Sequence, residues 1–155
     1  MVTSTLIVSL VIDIVIKIFY VLTLQNTLKQ VEPKNRKISP EQLWLLLIPV
    51  LTVFFGFVVV KNIAASLELE LRDRGINDVK MPTYDIGIAL YILGTVNLLY
   101  YLKYFGFISP FLSVILLFPA IAGFICFIVY WVKVYQYKEK LLQLPKRNTG
   151  DSLIF

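Results

Sequence analysis

An all-α integral membrane protein, a four-helix bundle whose second and fourth helices extend beyond the bilayer on the same side, is what this sequence predicts. Three observations carry that reading. Apolar stretches at about 6–24, 43–61, 84–104 and 111–132 each match the roughly 20 residues that cross a hydrocarbon core of about 30 Å. The chain is 58% hydrophobic and only 16% charged, with a mean hydropathy of +0.78, where soluble domains carry about 25% charged residues. Finally, Ser39–Pro40 and Ser109–Pro110 are start signals for helices two and four, and both helices run on into charged extensions. With 155 residues the chain has room for one layer of spanning helices, so 1–155 is read as a single transmembrane domain.

Helix one covers about Thr5 to Lys29. Asp13 and Lys17 lie four residues apart near the middle of its apolar run, which puts acid and amine on one face in the favoured order. An unpaired charge at the bilayer centre costs about 2.5–3.5 kcal/mol even on lenient scales. The pair therefore reads first as an internal ion pair that fixes packing or marks contact with a partner subunit. The alternative is a proton or ion site. No secretory leader is expected, because the N-terminus lacks a basic region and a small-residue cleavage site.

Gln25 to Ile38 is a basic connection with Lys29, Lys34, Arg36 and Lys37, suited to lipid headgroups. Helix two is read as one rod from Ser39 to Gly75, with Gln42 completing a capping box and Trp44 as an interfacial anchor. Pro49 should bend it. Its extension carries Ala64, Ala65 and Ser66, small enough for close contact, then Glu68, Glu70, Arg72, Asp73 and Arg74. Glu68 and Glu70 face different ways, which argues against a metal site there.

The loop Gly75 to Thr83 opens on a helix-stopping glycine. Helix three, about Tyr84 to Tyr104, carries Gly87 and Gly94 a heptad apart, an arrangement for close approach on one face. Asp85 suits the positive end of that helix, and Asn97 is read as a polar contact between helices. Tyr91, Tyr100, Tyr101 and Tyr104 thicken towards its far end, as an interfacial aromatic belt would. Helix four spans Phe111 to Val132 and continues with Lys133, Lys138 and Lys140 on its polar side until Pro145. The tail 145–155 reads as flexible by composition.

In this topology both termini and the Gly75 loop share one side, and the Gln25–Ile38 connection lies on the other. The count of Lys and Arg places the termini side in the cytoplasm. Helices two and four then run parallel, and Glu68, Glu70 and Asp73 are expected to pair with Lys133, Lys138 and Lys140 across them. Such exposed pairs are each worth about 0–1 kcal/mol.

The net charge of +5 is distributed beside apolar runs, which points to membrane orientation rather than nucleic acid. Without histidine and with Cys126 alone, histidine-based zinc, haem and proton-shuttle chemistry is excluded. Cys126 sits in an apolar run and reads as a small hydrophobe. No catalytic constellation, cofactor set or metal cluster is visible, so no enzymatic activity is expected.

Asn35 and Arg36 after Pro33, then Pro40, Trp44, Leu45, Leu47, Ile48 and Pro49, then Ser66, Leu67 and Glu70, form a pattern PxNR…P…WLxLIP…SLxxE. It resembles a family of small uncharacterised bacterial four-helix integral membrane proteins, and Tyr130-Trp131-Val132-Lys133 is similar to that family too. The resemblance covers Asn26 to Leu141 and implies a multi-pass protein of the bacterial cytoplasmic (inner) membrane. It implies no substrate. The function expected is that of an accessory or interaction subunit of a larger membrane complex, with membrane lipids and other membrane subunits or itself as partners. The alternative is a small ion or proton transport component using Asp13 and Lys17, with Asn62, Asp85 and Asn97 as further polar groups.

Overall fold

The computed structural model describes residues 2–98 and 109–145, of which four α-helices and two 3-10 segments are the regular elements, with no strand among them. Helix α1 is Val2–Gln30, a 3-10 turn follows at Pro33–Asn35, and a longer 3-10 helix covers Pro40–Leu47. Helix α2 is Pro49–Asp73, α3 is Tyr84–Leu98 and α4 is Pro110–Gln143. Three helical stretches are long and apolar enough to cross a membrane: Val11–Gln30, Leu51–Asp73 and Phe111–Gln143. The protein is thus all-helical with the character of a membrane protein. The outer part of the third expected span, the Tyr100, Tyr101 and Tyr104 belt, and the tail beyond Pro145 lie outside the described residues.

The rod expected from Ser39 to Gly75 is two elements running in opposite directions. Pro40–Leu47 winds as a 3-10 helix, whose three residues per turn stack positions i, i+3 and i+6 in one stripe. Pro40, Leu43 and Leu46 are that stripe and are buried, while Trp44 and Leu45 between them are exposed. The capping box at Ser39 and Gln42 forms as the sequence indicates. Pro49 does not bend a helix interior. It is the first residue of α2, where its missing N–H leaves no carbonyl orphaned.

Hydrogen bonds fix the reversal. The Lys37 N–H donates to Ser66 Oγ at 2.8 Å, and the Thr52 hydroxyl donates to the carbonyls of Leu46 (2.5 Å) and Ile48 (3.0 Å). Residues 37–46 therefore run alongside α2 from Ser66 back to Thr52, antiparallel to it. Ala64 and Ser66, fully buried, let the two limbs approach. From Pro49 to Val60 the ascending limb is ~18 Å long at 1.5 Å per residue, about half of a hydrocarbon core.

Ring and backbone contacts set the directions of the other helices. Tyr20 packs on Phe127 and Tyr130 with centroids 5.1 and 6.2 Å apart, and the Trp131 indole N–H donates to Thr23 Oγ1 at 2.8 Å. Helices α1 and α4 are parallel. Helix α3 is antiparallel to both α2 and α4, since Gly87 sits against Val60 and Tyr130 while Gly56 meets Tyr91 and Gly123 meets Leu93. The core lies in the half of the molecule where α1, α2 and α4 end. Val21, Leu24, Leu28, Leu43, Ile63, Leu67, Leu71 and Tyr130 are fully buried there. The other half, with Ile7, Val11, Phe111, Phe118 and Phe124, leaves its apolar side chains exposed, in keeping with the character of a membrane protein.

Helix α2 ends in a Schellman arrangement. Gly75 takes φ 88°, its N–H donates to Arg72 O at 3.0 Å, and the Ile76 N–H donates to Leu71 O at 2.8 Å. A residue with a Cβ is strained at that φ, hence the glycine. Of the two helix-three glycines, only Gly87 mediates close approach; around Gly94 there is open space.

This topology corrects the expected sidedness. The Gln25–Ile38 connection and the Gly75 loop lie at the same end, and the start of α1 lies opposite the end of α4. In a membrane, single cysteines placed at Lys34 and Asp78 in a Cys126→Ala background should react with an impermeant maleimide from the same face. Labelling from opposite faces would restore the four-span alternation.

Candidate functional site

Two places concentrate polar chemistry. The first is the junction where three helices end. Glu70 in the last turn of α2 and Arg74, which caps that helix four residues later, have side chains only 1% and 2% exposed. Ile63, Leu67, Glu70 and Arg74 follow a single inward stripe of α2, which is how two ionised groups come to be inside. The Arg74 guanidinium donates from Nε (2.8 Å) and Nη2 (2.6 Å) to Glu70 Oε1. It also donates to Gln30 O at the end of α1 (3.0 Å), and to the Leu141 and Leu144 (3.1 Å) carbonyls at the end of α4. Glu70 Oε2 accepts from the Glu32 N–H and from Asn35 Nδ2, each at 2.9 Å, and Asn35 also donates to Asp73 Oδ2 at 3.0 Å.

A buried pair costs several kcal/mol per ion in lost hydration. Here every strong donor and acceptor is used, and Arg74 satisfies helix-end carbonyls that otherwise lack partners. The node is a fastener: it ties α1, the connection, α2 and α4 together. Arg36 adds to it by donating to Val31 O at 2.9 Å. Of the positions that carry the family resemblance, Asn35, Arg36, Ser66 and Glu70 meet in this region, Pro40 is buried on the 3-10 stripe, and Trp44 is exposed.

Among the described residues, no ion pair joins Glu68, Glu70 or Asp73 to Lys133, Lys138 or Lys140, the pairing expected of the extensions. Glu68 pairs with Arg72 (3.0 Å) and accepts the Met81 N–H at 2.9 Å. Glu70 is inside, Asp73 bonds Lys34 at 2.9 Å, and Lys138 pairs with its neighbour Glu139 at 3.0 Å. The reason is the reversed hairpin: residues 31–38 occupy the flank of α2 that would have faced the lysines. The Asp73 carboxylate, then that of Glu32, holds the Lys34 ammonium above its ordinary pKa.

The second place lies half-way along α1. Asp13 and Lys17 form an ion pair of 2.7 Å, with side chains 53% and 36% exposed. Lys17 also borders a cavity of about 200 Å³ that Tyr20, Thr52, Tyr91, Thr95 and Phe127 help to line. The Thr95 hydroxyl is spent on the Tyr91 carbonyl (2.8 Å), whereas the buried Tyr20 hydroxyl has no hydrogen-bond partner. Of the other polar candidates, the Asn62 carbonyl accepts from Ser66 (2.7 Å) higher up α2, and Asp85 is exposed in the first turn of α3. The Asn97 side chain lies outside what is described. Neither Asn62 nor Asp85 lines the cavity.

Sequence reasoning missed Tyr20, Thr52 and Thr95, and it placed Tyr91 in an interfacial belt, whereas that ring is buried and lines this cavity. The available signal was Tyr20 three residues beyond Lys17 on the same helix face. Among the described residues no group of three or more His, Cys, Asp or Glu side chains is placed to hold a metal, and Cys126 is a half-buried free thiol. Comparison with protein-family models, with curated proteins and with solved structures gives no match to this chain.

Proposed function

We propose that this chain is a non-enzymatic membrane subunit that assembles with other membrane-embedded chains through the N-terminal half of α1. The observation that carries the reading is the Asp13–Lys17 pair, which lies on the outside of the protein within an apolar helix. Pairing offsets part of the roughly 2.5–3.5 kcal/mol that each charge alone would cost at the bilayer centre, but the exposed pair still faces acyl chains as a polar group. Polar groups of a neighbouring chain remove that cost. The exposed Ile7, Val8, Val11 and Ile12 beside the pair supply the apolar part of the same contact.

Orientation follows from charge. Every described Lys and Arg except Lys17 lies on the Arg74 side of the apolar runs, so that side is cytoplasmic in a bacterial inner membrane. The start of α1 then lies on the outer side. A second reading, a small ion or proton transport component, is favoured by one feature: the cavity that places Lys17 beside two tyrosines and two threonines.

The test is the mass of the particle extracted from its host in native nanodiscs. Wild type should run as an assembly larger than one chain. Asp13→Leu with Lys17→Leu should weaken that assembly about tenfold or more, equal to ~1.4 kcal/mol, although each change is apolar and suits lipid. A wild-type monomer would defeat the subunit reading, and proton or cation flux lost in Asp13→Asn would then support transport.

A further inference from the structure

A cavity of about 260 Å³ opens between the start of α3 and the polar side of α4, lined by Thr83, Lys133, Gln136, Tyr137 and Lys140. We infer that it holds the phosphate of an anionic phospholipid headgroup. Lys133, Gln136, Tyr137 and Lys140 follow the spacing of one helix face, so both ammonium groups serve the same opening. Neither lysine forms an ion pair among the described residues. Lys138, by contrast, is occupied by Glu139 and the Tyr135 ring.

Thr83 supplies the independent observation. It is 8% exposed, borders the cavity, and its hydroxyl has no hydrogen-bond partner. The Tyr130 phenol approaches it, but that hydroxyl too lacks a partner in bonding geometry. Buried hydroxyls are almost always satisfied, and a phosphate oxygen in the cavity satisfies Thr83. Thr83 also sits at φ 69°, a left-handed conformation that a β-branched residue resists. The α3 N-terminus begins at the next residue and adds positive potential. The acid of its first turn, Asp85, is exposed and does not line the cavity.

Position selects a lipid as the source of the phosphate. Lys133 follows directly on the apolar run of α4, and Val129 and Ile125, four and eight residues before it on the same face, are exposed. A headgroup in the cavity therefore lays its acyl chains along that stripe, on the side that positive charge marks as cytoplasmic.

The full chain is purified from nanodiscs of phosphatidylcholine with added phosphatidylglycerol, and retained lipid is read by native mass spectrometry. Wild type should keep phosphatidylglycerol in preference to phosphatidylcholine. Lys133→Gln with Lys140→Gln should lower that retention about thirtyfold, the size expected for two basic contacts at a membrane surface, and Thr83→Val should lower it less. Lys138→Gln, which removes the same charge outside the cavity, should leave it unchanged. Equal retention in wild type and the double variant would overturn the site, as would an equal loss in Lys138→Gln. Displacement of the lipid by inorganic phosphate at matched concentration would overturn its assignment to a lipid.

Discussion

Arg74→Ala should lower the stability of the detergent-solubilised chain by about 3–5 kcal/mol, the cost of leaving a buried charge unpaired. Five acceptor contacts go at once, to Glu70 and to the carbonyls of Gln30, Leu141 and Leu144. Glu70 keeps Asn35 and the Glu32 amide but loses its counter-charge. The unfolding midpoint in denaturant, followed by near-ultraviolet dichroism, reports the change. Arg74→Lys should fall between the two proteins, because an ammonium supplies charge without the planar fork that reaches several acceptors. Wild-type stability in Arg74→Ala would mean that the three helix ends are held by apolar packing alone.

That junction also shows why part of the protein is legible in sequence and part is not. Hydropathy reports which segments prefer lipid, and the stretches around α1, α2 and α4 are long and apolar enough to cross. Direction is another matter. Counting one crossing per apolar run places the Lys34 and Asp78 loops on opposite sides, whereas Pro40–Leu47 and α2 return to the side they came from. Over eight residues a three-residue and a 3.6-residue repeat leave almost the same apolar pattern, so Pro40, Leu43 and Leu46 fit both. Pro49 was the ambiguous mark, equally natural at a bend or at a helix start. Helix-wheel spacing did contain the Glu70–Arg74 node, since Ile63, Leu67, Glu70 and Arg74 fall on one stripe. Treating the charge-dense extension as a solvated face concealed it.

Gly56→Ala should cost about 1–3 kcal/mol, the usual penalty for overpacking a core, where an exposed helical glycine replaced by alanine normally gains up to ~1 kcal/mol. A Cβ on Gly56 would stand 1.9 Å from the Tyr91 ring. That ring is 8% exposed and packs on Phe57 at 5.7 Å, so it can yield only towards the Lys17 cavity that it lines. Gly94→Ala is the internal control: nothing lies within 4 Å of its added methyl, and it should be neutral or stabilising. Thermal unfolding of both variants beside wild type separates local crowding from glycine removal in general. If Gly56→Ala is as stable as wild type, the Tyr91 ring moves freely into the cavity. A mobile ring beside this cavity would strengthen the transport reading over the subunit one, because a displaceable aromatic wall can open a path to Lys17, which borders the cavity. A destabilised Gly56→Ala means the wall is fixed, and the exposed Asp13–Lys17 pair is then left to serve the contact with another chain.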